Sequence, residues 1–258
     1  MADTLVRQHT ARGVATLTLD SPANRNALSA ALMTELLAAF ATIARDPAVR
    51  AVVLTHTGPV FCSGADLKET AAAVEAGALP AARMGDVLAA VAECPKPVVA
   101  RVGGPARAGG IGLIAAADLA ICTREATFAF SEVRLGVIPA VISATVLPRL
   151  APRAAAELFL TGNTFDGVRA AEIGLVTAAV PAEALDATVD GYCAALVRGA
   201  PQALEGAKAL LRRTPKDTLR SDLAELTELS QGYFLSAEGR EGVAAFWAKR
   251  DPVWVPES

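Results

Sequence analysis

Aromatic residues make up only 5% of the 258-residue chain, which holds just two histidines and four cysteines. Each scarcity excludes something. His9 and His56 cannot build a zinc site without carboxylate help, and no metal-ligand spacing is present, so no metal is expected. Cys62, Cys94, Cys122 and Cys193 lie far apart and form no CxxC, so they read as buried thiols in a reducing compartment rather than a disulfide framework. No run of 18 apolar residues exists, and "MADTLVRQHTARG" has no apolar leader segment. No membrane span or signal peptide is therefore expected, and the expected location is cytoplasmic. Positive charge is not in excess: 24 Lys and Arg face 27 Asp and Glu, a net charge of −3. Without a basic stripe, neither nucleic acid nor an anionic membrane is an expected partner, and an anionic ligand needs a local basic patch. No GxSxG occurs, which argues against a serine hydrolase.

The chain does have apolar bulk, 53% hydrophobic against 20% charged. That supports a sizeable core made mostly of Ala, Val and Leu. "GVATLTLD" (13–20) alternates as a strand, and Ser29 is placed to cap a helix running to about Ala44. "RAVVLTH" (50–56), "KPVVARV" (96–102), "DLAICT" (118–123) and "IGLVTAAV" (173–180) read as further strands. "TGPVFCSGADLKE" (57–69) is a loop leading into a helix, and "ARAGGIGLIAAADLAI" (106–121) opens another. His56 reads as a strand-end residue rather than a base. Strand and helix alternate, which implies parallel βαβ units. After residue 180 the pattern is helical, near 183–198, 201–213, 218–235 and 238–249. Two regions follow: an α/β core over 1–200 and a helical extension over 201–258.

Gly109, Gly110 and Gly112 stand where a helix begins, although glycine weakens a helix interior by roughly 1 kcal/mol relative to alanine. Three readings compete. As a dinucleotide fingerprint, Gly110, Gly112 and Ala115 fit GxGxxA with Glu132 as the ribose-binding acid, but six residues separate Val102 from Gly109, whereas the motif should follow a strand directly. Close helix packing is the plain alternative. The third reading is a bare N–H aimed at a developing negative charge. It gains from Gly64, a second glycine at a loop-to-helix turn. Two helix starts that face each other make a two-donor oxyanion hole.

With these residues in view, the chain resembles the enoyl-CoA hydratase/isomerase, or crotonase, superfamily. The stretches that carry the likeness span nearly the whole chain. They are "SPANRNALS" (21–29), "FCSGADLKE" (61–69), "KPVVARVGGPARAGGIGL" (96–113), "FAFSEVRLGVIP" (128–139), "LTGNTFDGVRAAEIGLV" (160–176) and "SAEGREGVAAFWAKR" (236–250). The resemblance implies an α/β spiral of ββα repeats with a C-terminal helical trimerisation region, assembled as a homotrimer or a dimer of trimers. It implies an acyl-CoA thioester as substrate, with no cofactor beyond the coenzyme A that the substrate carries.

Carried over by position, the oxyanion donors are the backbone N–H groups of Ala65 and Gly109. Ser63, Asp66, Leu67 and Lys68 match the stretch lining the adenine and pantetheine path. Arg25 matches a loop that meets the CoA phosphates, and Phe246 and Lys249 match residues that reach a neighbouring subunit's CoA. For the lone charges Arg25, Lys68 and Lys249, ordinary solvated surface is the competing reading. One family glutamate falls on Gly112 and is absent here; the other falls on Glu132. Phe128, Phe130, Val133, Leu135 and Val137 give Glu132 apolar surroundings, which would raise its pKa. Its competing reading is a surface glutamate at a strand end.

One carboxylate suits hydration of a 2-enoyl-CoA thioester, with Glu132 as acid and base. It suits a Δ3,Δ2-enoyl-CoA isomerase too. The flanks resemble the single-glutamate branch that includes 3-methylglutaconyl-CoA hydratases, so hydratase is the reading taken, with isomerase second and a non-catalytic acyl-CoA-binding protein third. Ala140, often glycine in two-glutamate enzymes, bears on where water sits. Gly112→Glu is expected to be tolerated or to raise hydration.

Overall fold

The computed structural model describes residues 4–75 and 81–256. Its centre is a six-stranded sheet in the order β1-β2-β3-β4-β6-β9. These strands are β1 (Val6–Ala11), β2 (Val14–Leu19), β3 (Ala51–His56), β4 (Val98–Val102), β6 (Leu119–Thr123) and β9 (Ala178–Val180). β1 and β2 form an antiparallel hairpin, and every later pairing in this sheet is parallel. β3 is buried along nearly its whole length, as a parallel strand covered on both faces must be. Its Val52 and Leu54 enter the main core, while Val53 joins Val99 and Ile121 under Leu185, Val189 and Cys193 of helix α8 (Leu185–Val197).

The expected parallel units are present, with Ser29 capping α1 (Ala30–Arg45) through a bond from Leu32 N–H. The last strand differs from expectation. Of "IGLVTAAV", only Ala178–Val180 pairs. Ile173 closes helix α7 (Gly167–Glu172), and Gly174 follows in the left-handed region, where a helix terminates. Leu175 and Val176 are buried as core loop, which periodicity alone cannot tell from a strand.

A second, smaller sheet was not legible from alternation because its strands are too short. It contains β5 (Ala106–Arg107), β7 (Thr127–Ala129) and β8 (Phe165–Asp166) in the order β5-β7-β8. Cys62 adds a parallel bridge to Ala106, and Leu28 one to Ala65. β3, β4 and β6 of the large sheet are each followed by a short strand or bridge and then a helix. Cys62 follows β3 and precedes α2 (Leu67–Glu75) and α3 (Ala81–Ala92). β5 follows β4 and precedes α4 (Gly109–Ala116). β7 follows β6 and precedes a 3-10 turn (Ser131–Leu135) and α5 (Ala140–Val146). These are ββα turns of a spiral. Helix α6 (Pro152–Thr161) precedes β8. The scarce aromatics concentrate here: Phe61, Phe128 and Phe130 are among the largest fully buried side chains. Phe130 packs on Phe159 at 4.5 Å between ring centroids, and Phe128 on Phe165 at 5.6 Å.

Past α8 come α9 (Pro201–Leu210), α10 (Leu219–Leu235) and α11 (Ala237–Ala248). α9 is tied to the core by buried Lys208, whose Nζ sits 2.6 Å from Asp118 and donates to Lys96 O at 3.1 Å. All four cysteines are free and buried, and burial pushes the Cys62 and Cys122 thiols up to about 12. No helix among the described residues is long and apolar enough to cross a membrane.

Candidate active site

Three parallel segments lie in register across the small sheet: Cys62 opposite Ala106, and Ala106 opposite Phe128. Parallel strands leave by the same edge, the edge where open α/β sheets place ligands. Three residues beyond Cys62 is Ala65, three beyond Ala106 is Gly109, and four beyond Phe128 is Glu132. With neighbouring strands about 4.8 Å apart, the first two segments run side by side and the third is one strand further on.

The first two loops also touch. Arg107 N–H donates to Cys62 O at 3.0 Å. Gly64 has φ +92, open to glycine at little cost, and a Cβ there would stand 2.9 Å from the Cβ of Ala108. A Cβ on Gly110 would stand 2.7 Å from Cys62 O. Close backbone approach therefore explains part of the glycine cluster. Ala108 itself sits at φ 45, ψ −118, a costly conformation for a non-glycine residue, directly ahead of Gly109.

Among the described residues, nothing accepts a hydrogen bond from the N–H of Ala65 or of Gly109. Ala65 is exposed, and buried Gly109 opens α4, whose start carries a partial positive charge. Glu132 lies in the 3-10 turn rather than at a strand end. Val137 N–H closes that turn on Glu132 O at 3.1 Å, and Arg134 fastens it to Thr161 O and Asn163 Oδ1. The carboxylate Oε2 is buried and has no hydrogen-bond partner among the described residues. Burial raises the Glu132 pKa above the ordinary 4.5, against a smaller opposing pull from its own backbone N–H. An unpartnered buried carboxylate is costly, and such groups concentrate where protons are moved. The apolar surroundings come from fewer residues than expected. Phe128 and Phe130 are buried, Val133 is half-buried, and Leu135 and Val137 are exposed in the single chain.

The remaining candidates divide. Ser63 is half-buried, its N–H bonded to Arg25 O and its Oγ 3.5 Å from Asn24 O. Asp66 Oδ1 accepts from the N–H of Lys68 and Glu69, so its carboxylate caps α2. Leu67 opens that helix, and its side chain lies outside the described residues. Arg25, Lys68 and Ala140 are exposed. Phe246 and Lys249 are exposed at the end of α11, and no hydrogen bond or ion pair among the described residues joins them to the three loops. "TAAAVEAGALPAAR" (70–83), which by its place in the sequence is expected to line the acyl pocket, crosses residues 76–80, which are outside the described residues. His56 does end β3, where its Nε2 accepts from Gly103 N–H at 3.1 Å and burial lowers its pKa. A cavity of about 980 Å³ lies elsewhere, between the outer face of β1–β3 and α8.

One expectation is corrected. Gly112 is not a vacant position awaiting an acid. A Cβ there would stand 2.7 Å from Ile142 Cγ2 and 3.2 Å from Leu88 Cδ2. α5 and α3 fill the space, and a glutamate would need both side chains to move.

Sequence reasoning also missed Asn26. It is fully buried at φ 52, its Oδ1 accepting from Ser21 N–H and its Nδ2 donating to Thr57 O and Val60 O. Its place in "NRNAL", a short polar residue ahead of an apolar helix, was the available signal.

The sequence model of the enoyl-CoA hydratase/isomerase family matches residues 9–257. This chain belongs to that family. The crystal structure of an enoyl-CoA hydratase from Mycobacterium smegmatis superposes with a TM-score of 0.88 at 36% identity, covering 98% of this chain and 99% of that one. The 1,2-epoxyphenylacetyl-CoA isomerase of Escherichia coli is 31% identical over 96% of this chain and 97% of its own length. The hydroxycinnamoyl-CoA hydratase-lyase of Pseudomonas fluorescens is 32% identical over 88% and 85%. The protein is an enzyme of the hydratase/isomerase family. Three reaction names at similar identity mean that the fold alone does not select the reaction.

Proposed function

We propose that this enzyme adds water across the 2,3 double bond of a 2-enoyl-CoA thioester. The observation that carries the reading is the register of Cys62, Ala106 and Phe128 in one short sheet, whose following loops carry Ala65, Gly109 and Glu132, with two N–H groups and one carboxylate oxygen that have no hydrogen-bond partner among the described residues. The thioester oxygen accepts from both amides. Ionised Glu132 takes a proton from water as the hydroxide adds to C3, and the electron pair of the double bond moves onto the thioester oxygen as an enolate. The carboxylic acid then returns the proton to C2, and the carbonyl re-forms. Proton transfer by a placed side chain contributes about 10²–10⁴-fold, and one oxyanion donor about 10²–10³-fold. Arg25 and Lys68 meet the CoA phosphates, Ser63 and Leu67 line the pantetheine path, and Asp66 holds α2 in place beside it. Phe246 and Lys249 serve the site of a neighbouring copy in a homotrimer or a dimer of trimers. No cofactor beyond substrate coenzyme A takes part.

A second reading has an observation of its own. Ile142 and Leu88 fill the space at Gly112, so no second acid stands there to help hold the water that hydration adds. A single base that removes a proton from C2 and returns it at C4 needs no such acid. The test is incubation with 2-enoyl-, 3-enoyl- and methylglutaconyl-CoA esters, with products resolved by mass. Hydration adds the mass of water and isomerisation adds none. Glu132→Gln is expected to lower either turnover at least about 10²-fold while coenzyme A still binds. Undiminished turnover in that variant removes Glu132 from the mechanism, and no turnover of any of these esters in the wild type overturns both readings.

A further inference from the structure

An N–H points where its peptide plane points, and in a trans peptide the C=O of the preceding residue points the opposite way. Whatever holds that carbonyl therefore aims the amide. For Gly109, the carbonyl is that of Ala108, which accepts from Ile111 N–H at 2.9 Å and Gly112 N–H at 3.1 Å. The first turn of α4 holds this plane with no outside help. For Ala65, the carbonyl is that of Gly64, and no helix reaches it. It accepts instead from Leu28 N–H at 2.8 Å, from a segment far away in sequence.

The aim of the first amide thus depends on what holds residues 25–28. On one side of that segment, Arg25 O accepts from Ser63 N–H at 3.0 Å; on the other, Leu28 N–H meets Gly64 O. Between them is Asn26. Its side chain donates to Thr57 O at 3.0 Å and to Val60 O at 2.8 Å, and accepts from Ser21 N–H at 2.8 Å. All three bonds are buried or half-buried, so none is readily replaced by water. Two consecutive residues at positive φ, Arg25 at φ 60 and Asn26 at φ 52, form this turn, which Arg25 N–H to Pro22 O at 3.0 Å and Asn26 N–H to Ser21 O at 2.9 Å close from within, while the side-chain bonds of Asn26 join it to the 57–60 loop. We infer that Asn26 is the positioning residue of the Ala65 N–H: its amide clamps the 21–26 turn to the 57–60 loop, and Leu28 N–H transmits that placement through Gly64 C=O to the donor. The inference rests on the two-amide reading above. The same bond to Gly64 O polarises the peptide and strengthens its N–H as a donor.

The test uses the full-length enzyme and two probes. Cinnamoyl-CoA is a conjugated thioester whose absorption moves to longer wavelength when its carbonyl oxygen is polarised. An S-alkyl-CoA thioether has no carbonyl oxygen. Asn26→Gly keeps the left-handed backbone at little cost and deletes only the side chain; should it not fold, Asn26→Asp, which keeps the Oδ1 acceptor but loses both donors, carries the same measurements. The expected result is at least a halving of the wild-type red shift and a fall in kcat of about 10-fold to 10²-fold, with KM and thioether affinity within threefold. A variant that keeps the full red shift overturns the inference, as does one that loses thioether and thioester affinity equally, since that marks general loosening. A wild type that shows no red shift brings down the two-amide reading and this inference with it.

Discussion

At the scale of single residues, Glu132 and Gly112 have opposite problems: one carboxylate has an oxygen without a partner among the described residues, and one glycine has no room for a side chain. Burial raises the folded-state pKa of Glu132 above 4.5. The native state then holds this proton more tightly than the unfolded chain. The contribution to stability is fully present below the unfolded value and is lost as pH rises through the folded one. Glu132→Gln should accordingly be more stable than wild type at pH 8 and no more stable at pH 4, read as urea midpoints. The kcat/KM profile should show an acidic limb above pH 4.5 as the base ionises; a limb at or below that value would mean the carboxylate is well solvated in the working enzyme. At Gly112, overpacking typically costs about 1–3 kcal/mol and a buried carboxylate adds to it. Gly112→Glu should lose at least about 3 kcal/mol rather than gain hydration. Pairing it with Ile142→Ala should cost less than the sum of the two single changes, because the residues compete for one space. Strict additivity in denaturation would contradict that packing.

At the scale of elements, the site is a set of chain ends leaving one short sheet, and the helices keep those ends in place. Lys208 on α9 is a buried tie between the C-terminal helices and the core. Its ammonium is buried against Asp118, which also accepts from Val98 N–H at the start of β4 and from Arg212. Burial lowers the lysine's pKa although the aspartate opposes the shift. Removing one partner of such a pair strands the other, at about 3–5 kcal/mol. Lys208→Ala should therefore lose stability of that order by denaturant titration, whereas Lys208→Met with Asp118→Asn should lose much less. A change under 1 kcal/mol in the single variant would show that water or Arg212 already satisfies the aspartate. Most long elements were legible because their patterns are local: the Ser29 cap, the alternation of β2 and the β-branched run of β3. β5, β7 and β8 were not, because strands of two or three residues carry no periodicity. The false strand at 173–177 arose from the same limit, since buried Leu175 and Val176 are apolar whether or not they pair.

For the whole molecule, one chain leaves large apolar side chains in water. Leu135 and Ile138 stand exposed beside Glu132, and Phe246 and Trp247 stack edge to face, both over 75% exposed, on the last helix. Exposed large apolar side chains of this kind fit a surface of association. A light-scattering mass of three or six times 26.4 kDa is expected, falling to the single-chain value in Phe246→Glu with Trp247→Glu. A wild type that stays at 26.4 kDa at micromolar concentration would leave Phe246 and Lys249 without a site to serve. The sequence alone determined what neighbours in the chain decide: the strands and helices with strong periodicity, the caps, the loop-to-helix glycines and the candidate acid. Only the tertiary structure decided that Cys62, Ala106 and Phe128 align, that Leu28 aims the Gly64 carbonyl, that Ile142 occupies the place beside Gly112, and that one oxygen of Glu132 has no partner among the described residues. Each of these is a relation between distant segments, set by how sheets register and cores fill, and no local pattern encodes it.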